Sequence, residues 1–421
     1  MKKILIFGSG FSSSYILSYL LKESLSYNWH ISVVDKNPVL AKKIFNNKNN
    51  TDILCFDVNC NEKRTKIISE SDVVVSLLPI HLHNLIAKDC LSHNKSLFTA
   101  SYLNDEMLSF RKEAEDKDLL FLNECGLDPG IDHMSAMKLI DQVLDFGGKI
   151  TSFKSYCGAL IAPDYHNNPW NYKFTWSPRN VIFAGSNGGN YMLNGKIVKV
   201  NYQDLFLHTE KIKVFDKYYE SYANRDALSY LDLYGVNDIN TIYRGTLREV
   251  GFCKAWSLIV DFFIKNKNLK GSGSFLLNTF KSYIDDSNLS EKLSFYFDDI
   301  LKSEVNLSKD YSCPEDFIYD VLSDKWVFEK QDKDLVVMHH EVGYTIGSLS
   351  KTAKSSLVCL GESSPYTAIS KTVGLPLAIA VKLFLLGKIN SKGVLIPTLK
   401  EIYNPILKEL SFEGVIFKEK L

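Results

Sequence analysis

A dense group of reactive side chains lies in the sequence NECGLDPGIDH, which ends at His133. Asp128, Pro129 and Gly130 predict a tight turn, because proline presets its own φ and glycine bends freely. A helical pattern follows and carries Asp132 and His133 in its first turn. Proline at a helix start with aspartate in the first turn also suits simple capping. Two acids and a histidine exceed what capping requires, and they indicate a functional site.

A glycine-rich segment follows the first apolar run and opens a helical pattern. The first glycine permits a tight turn, the second lets the backbone approach a pyrophosphate, and the helix N-terminus supplies free N–H donors. The third fingerprint position is Ser13 rather than glycine or alanine, so an ordinary strand–helix turn stays open as an alternative. The segment predicts dinucleotide contacts from Gly8, Ser9, Gly10, Phe11 and Ser12.

The nucleotide preference depends on the end of the second apolar run. Asp35 stands at the usual separation from the glycines, where an acid accepts hydrogen bonds from the ribose 2′-OH of NAD and repels a 2′-phosphate. Lys36 would instead pair with that phosphate. A solvated strand-end acid is the alternative interpretation of Asp35. The residues alone favour NAD(H) and leave NADP(H) open.

Leu77 and Leu78 end the fourth apolar run and are predicted to lie over a cofactor ribose. His81 and His83 follow as an H-x-H pair, which could ligate a metal ion. The sequence suggests no third ligand nearby, so we expect a polar loop or helix start here and no metal.

The amino-acid composition limits the classes of protein to which the chain can belong. The chain has 421 residues, 45% hydrophobic and 23% charged, which is typical of soluble globular proteins. With 49 basic and 49 acidic residues it lacks the net charge of non-specific nucleic-acid binders.

Eight scattered cysteines without a C-x-x-C pair predict reduced thiols and a cytoplasmic location. The apolar stretch 374–387 is interrupted by Pro376 and Lys382, so it is too short to span a bilayer. We therefore expect small-molecule partners, with neither nucleic acid nor membrane.

The elements that carry these residues form two patterns. Up to residue 125, apolar runs rich in Val, Ile and Leu alternate with stretches of helical length, which indicates a doubly wound parallel α/β sheet. Its predicted strands are 3–7, 31–35, 53–57, 72–78, 97–101 and 119–123, and its predicted helices are 11–23, 62–69, 82–91 and 105–117.

Beyond Gly130 the pattern changes to a helix over 131–146 and then to aromatic, strand-like segments, which predict a mixed or antiparallel sheet. The strand predictions there are 150–157, 172–176, 196–200 and 335–339. Residues from about 255 to 325 predict a helical insertion, and 366–387 predict an apolar helix.

Longer motifs resemble the saccharopine reductase family, the L-glutamate-forming saccharopine dehydrogenases. The resemblance spans the chain and is most specific around Asp128, Cys157 and Arg248. The matching segments are GSGF at 8–11, SLLP at 76–79, SY at 101–102, NECGLDPGIDHMSAM at 123–137, GGKITSFKSYCG at 147–158, NPWNYKFTWSPR at 168–179, NRD at 224–226, RGTLR at 244–248, GFCKAW at 251–256, TAISKTVGLPLAIAVKLFLLGKI at 367–389 and GVLIPT at 393–398. Ala100 and Ala227 stand where the family usually has threonine and serine, so each loses a hydroxyl near the expected site.

The resemblance implies an NAD(P)-binding Rossmann domain over 1–130, completed by about 365–421. It implies a mixed α/β substrate-binding and dimerisation domain over 131–364 with the helical insertion. The implied reaction is the reversible interconversion of saccharopine with L-glutamate and 2-aminoadipate 6-semialdehyde through an imine, in lysine metabolism. The implied cofactor is NADP(H). Separately, an exposed sheet edge in the middle domain would suit a two-fold homodimer.

The resemblance also implies site roles. Saccharopine carries three carboxylates, which arginine forks bind well, and a secondary amine that a carboxylate would stabilise when charged. Catalytic roles fall to Asp128, Tyr102 and His133. Substrate contacts fall to Ser101, Tyr102, Asp128, Asn224, Arg225, Arg244, Thr246, Leu247 and Arg248. Cofactor contacts fall to Gly8, Ser9, Gly10, Phe11, Ser12, Asp35, Lys36, Asp57, Leu77, Leu78, Leu127, Pro129, Cys157 and Trp176.

Two other functions compete with this interpretation. A carboxynorspermidine-type reductase would need acids for a second amine where this sequence has three arginines. A non-catalytic NAD(P)-binding regulator would keep the glycine loop and lose the substrate motifs, which are present here.

Overall fold

The computed structural model describes residues 1–287 and 289–421. These residues divide into two compact units. The first unit comprises 1–146 and 361–418, and the second comprises 147–360 and 419–421.

The unit boundary lies at residue 146 rather than at the expected 130. Helix Ile131–Asp145 packs against helix Lys400–Phe412 within the first unit. The Tyr403 hydroxyl donates to the Asp141 carboxylate, and Lys400 Nζ lies 3.4 Å from Asp145 Oδ2. These contacts explain why the helix belongs to the first unit.

The secondary structure alternates regularly in the first unit and is more varied in the second. The strands are β1 (Lys3–Phe7), β2 (His30–Asp35), β3 (Thr51–Cys55), β4 (Val73–Ser76), β5 (Ser96–Thr99), β6 (Leu120–Leu122), β7 (Lys149–Ile161), β8 (Gly189–Leu193), β9 (Lys196–Val200), β10 (Thr209–Val214), β11 (Lys217–Ala223), β12 (Arg225–Asp226), β13 (Thr241–Arg248), β14 (Gly271–Ser272), β15 (Asp310–Tyr311), β16 (Asp334–Ile346), β17 (Leu349–Leu360), β18 (Gly393–Leu395) and β19 (Lys418–Lys420). The helices are α1 (Ser14–Tyr27), α2 (Val39–Phe45), α3 (Asn61–Ser69), α4 (His83–Ser92), α5 (Asp105–Ser109), α6 (Arg111–Asp116), α7 (Ile131–Asp145), α8 (Pro178–Ile182), α9 (Tyr202–Leu205), α10 (Tyr230–Leu233), α11 (Phe252–Lys265), α12 (Gly273–Asp286), α13 (Glu291–Ser294), α14 (Asp298–Leu301), α15 (Pro314–Lys325), α16 (Ala368–Leu385) and α17 (Lys400–Phe412).

The first unit contains a seven-stranded parallel sheet in the order β18-β6-β5-β4-β1-β2-β3. Six of these strands follow the doubly wound order 3-2-1-4-5-6, with β18 added beside β6. The order reverses between β1 and β4, where such sheets bind ligands at the carboxyl ends of their strands. The predicted doubly wound α/β fold is confirmed.

Helix α16 is the apolar helix of the first unit. By length and composition it could cross a membrane, but 72% of it is buried inside the protein. It approaches α1 closely at Gly374, where a Cβ atom would lie 2.9 Å from the backbone nitrogen of Ile16. This packing gives α16 the burial of a core helix.

The second unit contains a ten-stranded mixed sheet whose main path is β10-β11-β13-β7-β16-β17-β19. Strands β13 and β7 run parallel, whereas β13–β11, β7–β16 and β16–β17 are antiparallel. An aromatic core joins this sheet to α11 and to the later helices of the predicted insertion.

Two element predictions are wrong. Residues 172–176 form no strand, because Tyr172 packs its ring edge-on against Trp326 and the neighbouring Lys173 Nζ lies 2.7 Å from the buried Asp332 Oδ2. The helix predicted over 105–117 breaks at Phe110 into α5 and α6.

Candidate active site

The glycine loop of the first unit has the shape that a dinucleotide requires. Gly8 has φ +98°, and a Cβ atom on it would lie 3.0 Å from the Leu77 carbonyl oxygen, so glycine is needed there. A Cβ atom on Gly10 would meet no atom of the described residues within 4 Å. The backbone at Gly10 is therefore approachable, four residues before the start of α1. This open backbone fits a pyrophosphate.

The Asp35 carboxylate holds this loop in place. Its Oδ2 accepts the Ser9 backbone N–H at 2.6 Å and the Ser9 hydroxyl at 3.0 Å, and its Oδ1 accepts the Asn37 N–H at 2.7 Å. Both oxygens are thus engaged by the protein. This weakens the argument from sequence that Asp35 selects NAD through the ribose.

Lys36 and Asp57 lie together at the ends of β2 and β3. Lys36 Nζ is 3.0 Å from Asp57 Oδ2, and both side chains are largely exposed. The Asn59 backbone N–H and the Lys36 ammonium keep the pKa of Asp57 below its usual value. An exposed ammonium beside the second strand suits a 2′-phosphate, so the pair fits NADP(H).

The two histidines of the H-x-H pair have different environments. His81 is exposed, whereas the His83 ring is buried between strand ends. His83 Nδ1 lies 2.8 Å from Ser76 Oγ, and its Nε2 lies 2.7 Å from Ser101 Oγ. Burial, with a smaller effect of His81, lowers the pKa of His83 to about 4. Serine hydroxyls thus engage both ring nitrogens of His83.

Tyr102 and Asp128 meet at the carboxyl edge of the sheet. The Tyr102 hydroxyl donates to Asp128 Oδ1 at 3.0 Å. Asp128 sits in a turn closed by a hydrogen bond from the Gly126 N–H to the Pro129 carbonyl at 3.0 Å. Gly130 has φ +146°, and a Cβ atom there would lie 2.1 Å from the Gly126 oxygen. The turn therefore holds the partly buried Asp128 in a fixed position.

Glu124 is a site residue to which the sequence motifs assigned no role. Its Oε1 accepts the Leu103 backbone N–H at 2.8 Å, and its Oε2 lies 2.7 Å from His133 Nε2. His133 is 0% exposed. Because His133 is fully buried, its ring is not accessible to a substrate, and this argues against the predicted proton transfer by His133. The contacts favour a positioning role, in which His133 and Glu124 hold the backbone that follows Tyr102.

Strand β13 of the second unit presents three predicted substrate residues on one face. Side chains alternate along a strand, so Arg244, Thr246 and Arg248 point to the same side. Leu247 points to the other side, and its side chain is 0% exposed in the aromatic core. The predicted substrate contact of Leu247 cannot be made by its side chain.

Arg248 is 4% exposed, and its guanidinium lies among aromatic rings. Its carbon lies 5.2 Å from the ring centre of Tyr172 and 5.4 Å from that of Phe252. Nη1 donates to the Leu247 carbonyl at 3.0 Å, and Nε has no hydrogen-bond partner among the described residues. No carboxylate of the described residues pairs with Arg248, so its charge suits an anionic ligand.

The other predicted residues of the second unit are arranged around β13. Arg244 Nη1 donates to the Tyr230 hydroxyl at 2.6 Å, and the Arg244 backbone carbonyl accepts from Asn224. Cys157 pairs in register with Thr246, so both side chains lie on the same sheet face. Arg225 is exposed with φ +57°, and Trp176 is half-buried against the aromatic core.

Comparison with known proteins gives the family. Residues 4–122 match the saccharopine dehydrogenase NADP binding domain, and residues 126–415 match the saccharopine dehydrogenase C-terminal domain. The chain belongs to the saccharopine dehydrogenase family. The NADP binding domain of this family covers the glycine loop, Asp35 and the Lys36–Asp57 pair.

Full-length members of the family resemble the whole chain. The saccharopine dehydrogenase (NADP(+), L-glutamate-forming) of Saccharomyces cerevisiae is 32% identical over 452 residues, which cover 100% of this chain and 99% of the yeast protein. The solved structure of the apo histidine-tagged yeast saccharopine dehydrogenase (L-Glu forming) matches with a TM-score of 0.90 at 30% identity, covering 100% of this chain and 99% of that chain. The predicted two-part fold is thereby confirmed.

A longer relative contains a related segment. The mitochondrial alpha-aminoadipic semialdehyde synthase of Rattus norvegicus is 33% identical over 449 residues, which cover 99% of this chain. These residues are 47% of the rat protein, so the chain spans about half the length of this curated relative.

Proposed function

We propose that this chain is an NADP-dependent saccharopine dehydrogenase of the L-glutamate-forming type. It converts saccharopine, NADP+ and water to L-glutamate, 2-aminoadipate 6-semialdehyde, NADPH and a proton, and it catalyses the reverse reaction. The observation that carries the proposal is the full-length likeness to fungal enzymes of that name. The reaction class is an oxidation of a CH–NH bond.

The cofactor fits the loop that begins at Gly8. The open backbone at Gly10 and the N-terminus of α1 would hold the pyrophosphate, and Lys36 would hold the 2′-phosphate. When bound, NADP+ would accept a hydride from the CH2 carbon that is bonded to the secondary amine and becomes the aldehyde carbon of 2-aminoadipate 6-semialdehyde. Asp35 contributes indirectly, by fixing Ser9 and with it the loop.

Asp128 and Tyr102 stabilise the nitrogen of the substrate during imine formation and hydrolysis. The imine nitrogen is positively charged when protonated, and a carboxylate already in position lowers the free energy of that state. Hydrolysis needs a proton acceptor for water and a proton donor for the departing amine. The Asp128 carboxylate and the Tyr102 hydroxyl, hydrogen-bonded to each other, supply one of each type of group.

The arginine face of β13 binds the carboxylates. Arg248 is buried with an unfilled Nε donor. Arg244 is also buried and lies four residues earlier on the same face of β13, with Thr246 between the two arginines. Fixed guanidinium groups orient a tricarboxylate without further ordering cost at the time of reaction.

A turnover assay tests the proposal. The purified chain is mixed with saccharopine and either NADP+ or NAD+, and L-glutamate and reduced cofactor are measured. We expect L-glutamate formation, faster with NADP+. Activity with a diamine-derived substrate of the carboxynorspermidine type, and none with saccharopine, would contradict the proposal. Cofactor binding without turnover of either substrate would favour the regulator.

The remaining expectations concern assembly and location. We propose a homodimer in the cytoplasm, supported for the dimer by the exposed sheet edge expected in the middle domain and for the location by the free cysteines. Light scattering on the purified chain tests the dimer, since a mass near 47.8 kDa would instead show a monomer. Fractionation of the source cells tests the location.

A further inference from the structure

The candidate for a further role is the buried imidazole of His83, which joins the ends of two neighbouring strands. Its Nδ1 is 2.8 Å from Ser76 Oγ at the end of β4, and its Nε2 is 2.7 Å from Ser101 Oγ just after β5. Thr99 Oγ1 lies 3.5 Å from the same Nε2, at the limit of a hydrogen bond, so the two shorter contacts decide where the ring proton lies. His83 begins α4, so the helix and two strand ends fix the ring.

The hydrogen-bond network indicates which tautomer is present. Ser76 is 0% exposed, and among the described residues its hydroxyl contacts only His83 Nδ1. A buried hydroxyl with one partner donates its hydrogen there, because an unmet O–H donor costs more than an unused lone pair. Nδ1 is then the acceptor, and the proton of the neutral ring sits on Nε2.

The tautomer of His83 determines whether the Ser101 hydroxyl can donate a hydrogen bond to another group. If His83 Nε2–H donates to Ser101 Oγ, the Ser101 hydroxyl keeps its own hydrogen free, since no other described residue lies within hydrogen-bond distance of that oxygen. The Ser101 backbone is held as well, because its N–H donates to Thr99 Oγ1 at 3.2 Å and its carbonyl accepts from the Glu124 N–H at 3.0 Å. A fixed hydroxyl with a free hydrogen is a donor for an anion.

We propose that His83 is a positioning residue that holds Ser101 as a hydrogen-bond donor to a carboxylate of the amino-acid substrate. This inference rests on the proposed function, which supplies a substrate with three carboxylates. The lowered pKa of His83, about 4, is consistent with a neutral ring at neutral pH. His83 itself does not touch the substrate, because it is 3% exposed and both nitrogens are engaged.

Two substitutions of His83 distinguish the contribution of Nε2 from that of Nδ1. The amide nitrogen of glutamine replaces the Nε2–H donor toward Ser101, whereas the amide oxygen of asparagine replaces only the Nδ1 acceptor toward Ser76. We expect His83→Asn to raise KM for saccharopine about tenfold, the usual size for one lost hydrogen bond to a charged group, with kcat changed less. His83→Gln should stay within about threefold of the wild type, and NADPH affinity should be unchanged in both. His81→Ala is the control, because His81 is exposed and outside the network.

A double-mutant cycle tests whether His83 acts through Ser101. Ser101→Ala should reproduce the KM increase of His83→Asn, and combining the two should add nothing further. Equal losses in the asparagine and glutamine variants, or additive losses with Ser101→Ala, would overturn the proposal.

Nuclear magnetic resonance of the wild-type chain with 15N-labelled histidine shows which ring nitrogen of His83 carries the proton. This measurement depends neither on turnover nor on the folding of a variant. The expected result is a hydrogen on Nε2 and none on Nδ1 at pH 7. A hydrogen on Nδ1 would overturn the proposal. Absence of any turnover of saccharopine by the wild type would instead contradict the proposed function, so the two failures are distinguishable.

Discussion

The Tyr102 hydroxyl and the Asp128 carboxylate are 3.0 Å apart, although 26 residues separate them in the chain. The turn closed by Gly126 and Pro129 fixes the acid, and the segment anchored by Glu124 fixes the phenol. This pair is the centre of the proton and charge chemistry that we propose, and the first prediction concerns it.

Asp128→Asn should lower kcat/KM for saccharopine by about 10²-fold, because the amide keeps the size and removes the charge that stabilises the iminium nitrogen. The melting temperature should stay near that of the wild type, since asparagine can occupy the same turn. Steady-state kinetics and a melting curve measure both effects. Near-wild-type turnover would leave Asp128 as a turn residue only.

Asp35→Ala should weaken the binding of both NADPH and NADH. The substitution removes the acceptor for the Ser9 N–H and hydroxyl, so the glycine loop loses its fixed shape. Each lost hydrogen bond to a charged group corresponds to about 1.5–3 kcal/mol. Fluorescence titration of the two cofactors measures the change. If the affinity for NADPH rose while that for NADH fell, Asp35 would be acting on the 2′-phosphate, as the sequence alone suggests.

Lys36→Ala should weaken NADPH binding and leave NADH binding nearly unchanged, because only NADPH carries the 2′-phosphate. Asp57→Asn is the matched variant. It frees the Lys36 ammonium from its ion pair and should improve NADPH affinity modestly. The ratio of the two dissociation constants checks both variants. Parallel changes for NADPH and NADH would assign Lys36 to the fold of the loop.

Arg248→Lys should reduce kcat/KM for saccharopine about ten- to a hundredfold, because lysine keeps the charge and loses the planar fork. Cofactor affinity should not change, since Arg248 lies in the second unit outside the NADP binding domain. The exposed Arg225→Lys should cause a smaller loss in the same assay. A parallel fall in cofactor affinity would show that Arg248 supports the fold.

His83 should make stability depend on acidity. A histidine of the unfolded chain takes up a proton near pH 6.5, whereas His83 does so at about 4 in the folded chain. Between these values the unfolded state binds more protons, so stability falls as the pH falls. The loss from pH 8 is roughly 2 kcal/mol at pH 5. His83→Gln should lack this loss when unfolding by urea is compared at pH 7 and pH 5. The same pH dependence in both proteins would contradict it.

The sequence by itself determined the six predicted strands of the first unit and most of the helices between them, but not α2, β18 or α17. Continuous Val, Ile and Leu runs specify strands buried on both faces, as β1 and β4 are, because only two covering layers of helix can bury such runs. The spacing of Arg244, Thr246 and Arg248 places them on one strand face, and the same alternation directs Leu247 away from it.

The tertiary structure decided which hydrogen-bond partners the site residues have. Nothing local shows that Asp35 binds the Ser9 loop or that His83 reaches Ser101, since each of these contacts joins the ends of neighbouring strands. The Ser76–His83 and Glu124–His133 contacts are closer in the chain, and each joins a strand end to the helix that follows it. Tyr172 likewise has strand-like neighbours, yet its ring packs against Trp326 far along the chain. Residue types follow from local chemistry, but hydrogen-bond partners depend on which strands the parallel sheet brings side by side.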